Sequence, residues 1–191
     1  ASKSAFVTGM LVVFTPLCQI LIEKRAPKLG NIVGVILVTA GLFFLTSPKG
    51  SEFNFGDALT LGCALCFALY IVYLDIFTKE HDAAQLTLIQ FATAAVGGGL
   101  MAGAFEYTWI ELHPTLLWWL LYLTVAATVV AIYVQTKYQK ETTPTRAAVI
   151  FSVEPVIAAV FAYLVLGEVL GVLGILGGGL IVAGVLVSEL S

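Results

Sequence analysis

The sequence predicts an all-α, polytopic membrane protein with about seven transmembrane helices. Three observations carry that prediction. Of the 191 residues, 60% are hydrophobic and 11% charged, against roughly 25% charged in an ordinary soluble domain. Mean hydropathy is +1.01. The charges gather in short polar connectors, and the apolar runs between them are long enough to cross a bilayer core at about 1.5 Å of rise per residue.

Taken in order, the first span runs from about Ser4 to Ile22, opened by Ser2-Lys3 and closed by Glu23-Lys24-Arg25. Pro27-Lys28 leads to the second, about Leu29 to Thr46, which ends at Ser47-Pro48-Lys49-Gly50. A polar connector from Ser51 to Gly56 brings in Asp57, an expected N-cap, and the third span follows from about Ala58 to Phe77. The fourth covers about Leu86 to Phe105. The fifth runs from about Leu116 to Val134 and opens on Trp118-Trp119, a pair suited to the aromatic belt of a membrane interface. The sixth spans Ala147 to Gly167, and the seventh runs from about Val169 to Val187.

Connectors alternate sides of the membrane, so their charges give the orientation. One side collects Lys24, Arg25, Lys28, Lys79, Lys137, Lys140 and Arg146, whereas the other has only Lys3 and Lys49. Positive charge stays inside, which places the last residue in the cytoplasm and Glu52, Asp57, Glu106, Glu111 and Glu168 outside. The expected location is the cell (inner) membrane, multi-pass. Ala1 to Ser4 carries no basic leader, and no cleavage site follows the first span, so no signal peptide is expected.

The sixth span holds the candidate site. It is apolar apart from Ser152, Tyr163 and one acid, Glu154, followed at once by Pro155. Glu154 lies about 12 Å inside Arg146, near the membrane midplane. A charged carboxylate there costs about 2.5–3.5 kcal/mol and is expected to face a protein interior or an aqueous cavity. A coupling proton or a substrate amine are therefore its candidate partners; the plain alternative is a hydrogen bond to a neighbouring helix. Pro155 lacks an amide hydrogen and disfavours helical geometry at Glu154, freeing the Phe151 carbonyl. Gln135, Gln90 and Tyr70 are further candidates to line a polar path, against interhelical bonding or packing. Arg146 reads as a snorkelling cytoplasmic anchor, and Asp75 as an acid at the cytoplasmic surface.

Other chemistry is excluded or unsupported. Three cysteines do not make a disulfide scaffold, and Cys63-x-x-Cys66 lies inside an apolar span, where two small packing residues are expected. His81 and His113 lack companion ligands, so neither a metal site nor a cofactor is expected. No P-loop suggests ATP-driven pumping, no basic tract suggests nucleic acid, and no paired catalytic set stands within the spans. The chain is therefore not expected to be an enzyme. A structural or accessory membrane protein would fit the apolar packing but leaves the mid-membrane carboxylate without a reason.

An internal repeat organises the spans. A shift of 143 residues lays Ser2-Lys-Ser-Ala5 over Thr145-Arg-Ala-Ala148, Gly34 over Gly177, Leu37 over Leu180 and Ala40-Gly41 over Ala183-Gly184. The two copies point in opposite directions through the membrane, as in an inverted-topology repeat. With five spans per unit, residues 57–191 form a complete unit, and residues 1–50 form the last two spans of another, with three more expected upstream. The Gly30-x3-Gly34, Gly99-x3-Gly103, Gly167-x3-Gly171 and Gly174-x3-Gly178 pairs permit close helix packing without specifying a homodimer.

These residues resemble the EamA branch of the drug/metabolite transporter superfamily. Ala1-Ser-Lys-Ser-Ala-Phe-Val-Thr-Gly-Met-Leu-Val-Val-Phe-Thr-Pro16 looks like its fourth helix. Gly56-Asp57-Ala58 through Phe67-Ala-Leu-Tyr-Ile-Val-Tyr-Leu-Asp75 looks like the start of its second half. Thr145-Arg-Ala-Ala148, Phe151-Ser-Val-Glu-Pro-Val156 and Gly167-Glu168 look like its ninth helix and exit. The resemblance implies a ten-helix bundle of two inverted five-helix halves around a central cavity. It also implies a secondary carrier that moves a small solute, such as a metabolite or amino acid, by alternating access. The departure is at the start, where helices one to three have no counterpart in this sequence. The expected partners are that solute, the lipid bilayer and, in a homodimer, a second copy of the chain.

Overall fold

The computed structural model describes residues 2–46, 54–105, 113–167 and 171–191. The predicted positions of Lys49, Glu52, Glu106, Glu111 and Glu168, and the side chain of Lys3, lie outside them. Among the described residues every regular element is helical: α1 (Ser2–Gly9), α2 (Leu11–Glu23), α3 (Leu29–Thr46), α4 (Phe55–Thr78), α5 (Ala83–Phe105), α6 (Pro114–Tyr122), a π-helical segment (Leu123–Val130), α7 (Ala131–Gln139), α8 (Pro144–Phe151), α9 (Glu154–Leu166) and α10 (Val172–Glu189). They compose seven stretches long and apolar enough to cross a membrane, matching the seven spans expected. The chain is thus a multi-pass helical membrane protein.

Local chemistry sets the ends of these helices. Asp57 is not the N-cap of α4: Asn54 is. The Asn54 amide donates to Asp57 Oδ2 at 2.8 Å, and the Asp57 amide donates to Asn54 Oδ1 at 2.9 Å. This is a reciprocal capping box with the acid three positions further in. Thr143 caps α8 by accepting the Arg146 amide at 3.3 Å, and Pro144 occupies the first turn, where no amide is needed. Gly167 closes α9 in the left-handed region at φ 68°. The span expected from Leu116 to Val134 is a longer composite, α6–π–α7. Within it Thr128 Oγ1 donates to the Leu123 carbonyl five residues back at 2.8 Å.

The chain divides into two compact units. The first comprises Ala1–Tyr73 and Thr142–Ser191, and the second Leu74–Glu141. In the first, α3 and α10 form the most extensive helix pair, running antiparallel with backbones in contact. A Cβ added to Gly41 would lie 2.6 Å from the Gly177 carbonyl oxygen, and one added to Gly34 would lie 2.8 Å from the Gly184 carbonyl oxygen. Between these points Val38 and Ile181 are fully buried and join Val12, Leu42, Ala148 and Val149 in the core. Glycine is required at these points because two helices approach this closely only where no side chain intervenes. By contrast Gly62, Gly97, Gly99 and Gly103 meet nothing within 4 Å.

Polar bonds tie the ends of this unit. Gln19 Oε1, on α2, accepts the Thr145 amide at 3.2 Å and the Thr145 hydroxyl at 2.6 Å, satisfying an orphan donor at the start of α8. Asn31, at the start of α3, accepts the Ser188 hydroxyl from α10 at 3.2 Å. In the second unit α5 packs on α7, and large apolar side chains such as Leu88, Leu100 and Trp118 point outward, as lipid-facing residues do.

Two stability predictions follow from this packing. Gly41→Ala and Gly177→Ala should each destabilise the detergent-solubilised protein by about 1–3 kcal/mol through overpacking, whereas Gly62→Ala and Gly97→Ala should be neutral or stabilising. Thermal unfolding midpoints check this, and equal tolerance at all four positions would contradict the close α3–α10 contact. Gln19→Leu should cost about 1–3 kcal/mol by leaving the Thr145 donors unsatisfied. Thr39→Val should cost little in the same melt, because Thr39 bonds only the Val35 carbonyl of its own helix.

Candidate functional site

The sixth span is broken where its sequence is odd. α8 ends at Phe151 and α9 begins at Glu154, with Ser152 and Val153 between them. The ladder tightens at the break: the Ser152 amide reaches both Ala148 and Val149 carbonyls, and the Val153 amide bonds Ile150 three residues back at 3.0 Å. Ser152 Oγ also donates to the Ala148 carbonyl, at 3.0 Å. Pro155 then contributes no amide in the first turn of α9. The backbone stays right-handed helical through Ser152 (φ −68°, ψ −4°) and Val153 (φ −74°, ψ −21°), so the span passes from α8 to α9 through a tightened turn.

Glu154 is the first residue of α9. Its side chain is exposed, and no described residue bonds or pairs with it. Ile157 and Phe161 lie one and two turns further along and are also exposed, at 51% and 62%. On the other side of α9, Val156 packs against the core and lies 3.8 Å from a Cβ position on Gly178. The acid thus heads an open stripe of α9, and Val156 is the residue of that helix that reaches the core. A carboxylate at this end is favoured by the helix dipole, and it converts an anion-attracting terminus into one that attracts a cation or a proton.

Tyr70 reaches the same region. Its ring centroid lies 5.6 Å from Phe67, and Phe67 lies 6.5 Å from Phe151, the last residue before the break. Glu154, Pro155, Tyr70 and Arg146 all belong to the first unit, whereas Gln90 and Gln135 belong to the second. Gln90 is half-buried and bonded, and Gln135 Nε2 is buried without a hydrogen-bond partner.

Arg146 is more than a surface anchor. Half-buried, it donates from Nη2 to the Ser188 carbonyl at 3.2 Å, and its Nε lies 3.6 Å from Glu189 Oε1. It ties the start of α8 to the end of α10, where a cation complements the carbonyl end of the helix. Asp75, expected at the aqueous surface, is instead 1% exposed and paired with Lys79 Nζ at 2.5 Å. Cys63 and Cys66 are free and exposed rather than packed. Among the described residues, no group of three or more His, Cys, Asp and Glu could hold a metal ion. The helix break was legible in Pro155, but the Gln19–Thr145 and Asn31–Ser188 bonds join residues far apart in sequence and left no local signal.

Comparison with known proteins places this arrangement. The family model of the EamA-like transporter family matches residues 54–190. An uncharacterized transporter of Archaeoglobus fulgidus is 32% identical over 190 residues, covering 100% of this chain and 61% of its own. The threonine/homoserine exporter RhtA of Escherichia coli K12 is 31% identical over 185 residues, covering 92% of this chain and 59% of its own. The chain therefore spans about three fifths of the length of these curated relatives. One solved crystal structure, 18% identical, shares the fold with a TM-score of 0.81, covering 100% of this chain and 69% of its own. With a family model matched over most of its length and relatives of this identity named as transporters, the chain belongs to the EamA-like transporter family.

Proposed function

We propose that the protein works as a secondary transporter, exporting a small amine-bearing solute such as an amino acid across the cytoplasmic membrane by alternating access. The observation that carries this reading is the broken sixth span, with an unpartnered Glu154 at the first turn of its second half. A proline-marked irregularity near the midplane, beside an exposed carboxylate, is the kind of place where such carriers bind their cargo. A carboxylate in that position suits an ammonium group or a proton. Pro155 keeps the break open, and Tyr70 forms an aromatic wall beside it through Phe67 and Phe151. Gln135, with an unsatisfied Nε2, and Gln90 are the polar groups we assign to the solute's path.

The domain reading belongs to the same proposal. Residues 57–191 are one inverted unit, and residues 1–50 are the end of its counterpart. The α3–α10 contact supports this. Under the repeat shift Gly34 corresponds to Gly177 and Gly41 to Gly184, and the contacts run Gly34 to Gly184 and Gly41 to Gly177. Such reciprocal pairing is what a two-fold axis between equivalent helices produces. The excess of lysine and arginine on one set of connectors supports a cytoplasmic C-terminus. The exported amino acid reading draws on the relative named as a threonine/homoserine exporter.

Flux of threonine, homoserine and a mixed amino-acid pool from proteoliposomes tests the reading. Glu154→Gln should lower the flux by about ten- to a hundredfold, the loss of one charge-assisted contact, with folded protein retained. Wild-type flux in the Gln variant would remove Glu154 from the mechanism. In a background lacking Cys18, Cys63 and Cys66, Glu154→Cys should react with a membrane-impermeant thiol reagent, since an acid in a water-filled path must be reachable from water. A cysteine there that stays unlabelled from both sides would count against the open path.

A further inference from the structure

The second unit, Leu74–Glu141, contains a cavity of about 150 Å³ that the transport reading does not use. One wall is the face of α7 that carries Tyr133, Thr136 and Lys137 and continues into Lys140, the residue that caps the helix. The facing wall is the connection from α4 to α5, with His81, Asp82 and the first residue of α5, Ala83. The cavity lies at the level where the apolar spans end: α4 stops at Thr78, α5 starts at Ala83 and α7 stops at Gln139.

Its chemistry is that of an anion site. Lys137 and Lys140 carry two ammonium groups, and neither pairs with a described carboxylate; Lys137 lies 5.5 Å from the Tyr138 ring centre. Lys79, the nearby basic residue, is already committed to Asp75. Asp82 is the opposing charge, and its Oδ2 is engaged by the Ala84 amide at 2.9 Å, at the start of α5. The N-terminal end of that 23-residue helix adds its own positive field.

Thr136 supplies a second, independent sign. It is 0% exposed, and its hydroxyl has no hydrogen-bond partner. Other helical threonines of this chain solve that problem locally: Thr15, Thr39, Thr46, Thr60 and Thr87 each donate to the carbonyl four residues back. A buried hydroxyl left unbonded is costly and calls for a partner. Two ammonium groups, an unspent hydroxyl and a helix N-terminus around one small cavity suit an anion with several oxygens.

We propose that this cavity binds a phosphate group, held by Lys137, Lys140 and Thr136. The phosphate can come from an anionic phospholipid headgroup at the membrane surface or from a soluble phosphate. Basic pockets between transmembrane helices at that depth are suited to headgroups.

The experiment uses the full chain purified free of phospholipid, titrated separately with inorganic phosphate and with phosphatidylglycerol or phosphatidylcholine in nanodiscs. Binding is read by phosphorus NMR and by the thermal unfolding midpoint. The double variant Lys137→Gln/Lys140→Gln should weaken binding at least about tenfold, as should Thr136→Val. The control Lys24→Gln/Arg25→Gln, which removes the same charge from another connector, should leave binding unchanged. Binding of phosphatidylglycerol alone identifies the lipid, and saturable binding of inorganic phosphate identifies the soluble source. Equal losses in the two double variants would reduce the effect to net charge and overturn the proposal. So would binding of neither ligand, or binding unaffected by Thr136→Val. Should the lysine variant fail to fold, Thr136→Val decides alone, since deleting an unbonded buried hydroxyl does not lower the stability of the ligand-free protein.

Discussion

The contact on which the first unit depends is the backbone-to-backbone packing of α3 against α10. A lipid environment offers no hydrophobic drive for helices to associate, so close packing and interhelical polar bonds must hold them together. Gly34, Gly41, Gly177 and Gly184 provide the first, because each lies where an added Cβ would collide with the opposing backbone. Asn31, Ser188 and Arg146 provide the second, at the end of the same helix pair. The pair also fixes α8, which packs on both α3 and α10. Gln19 holds the start of that half-helix through Thr145.

That scaffold gives the helix break its meaning. A proline in a membrane span often produces only a kink. Here α8 is tied at its start by Gln19, Arg146 and the Thr143 cap, and α9 is seated by Val156 beside Gly178. The first half is thus held firmly, and the two residues after it carry the ladder on in tightened form through the Ser152 and Val153 amides. Glu154 emerges at the junction, where the dipole of α9 favours its charge and no described side chain neutralises it. In the middle of an apolar span such an acid is expensive. We read that expense as the signature of a solute or proton that visits the site.

Much of this was legible from the residues alone. The span from Leu29 to Thr46 coincides with α3, and the other spans differ from their helices by a few residues at the ends, where caps rather than hydropathy decide. Asp57 shows the mechanism. Its type marked a helix start, but Asn54 took the cap, because it stands just before the first helical residue, where its side chain bonds the Asp57 amide while the acid bonds back. The Gly-x(5)-Ala-Gly match between the second and last spans pointed to the residues that make the α3–α10 contact. The Gly99-x3-Gly103 spacing meets no described atom within 4 Å, and the same spacing is indifferent where no helix lies opposite. Asp75 was misplaced at the water surface because burial depends on what covers a side chain, and the sequence does not state it.

By itself, then, the sequence determined the class: seven apolar spans, their order, the basic connectors, and a proline-induced weakness beside Glu154. These follow from composition and period, which act within one turn or one span. Only the tertiary structure decided which glycines touch, that Arg146 reaches Ser188, that Thr136 keeps an unbonded hydroxyl beside Lys137 and Lys140, and that Gln19 holds the start of α8 through Thr145. Each of those depends on groups distant along the chain meeting at a few ångströms, and hydropathy carries no information about such meetings.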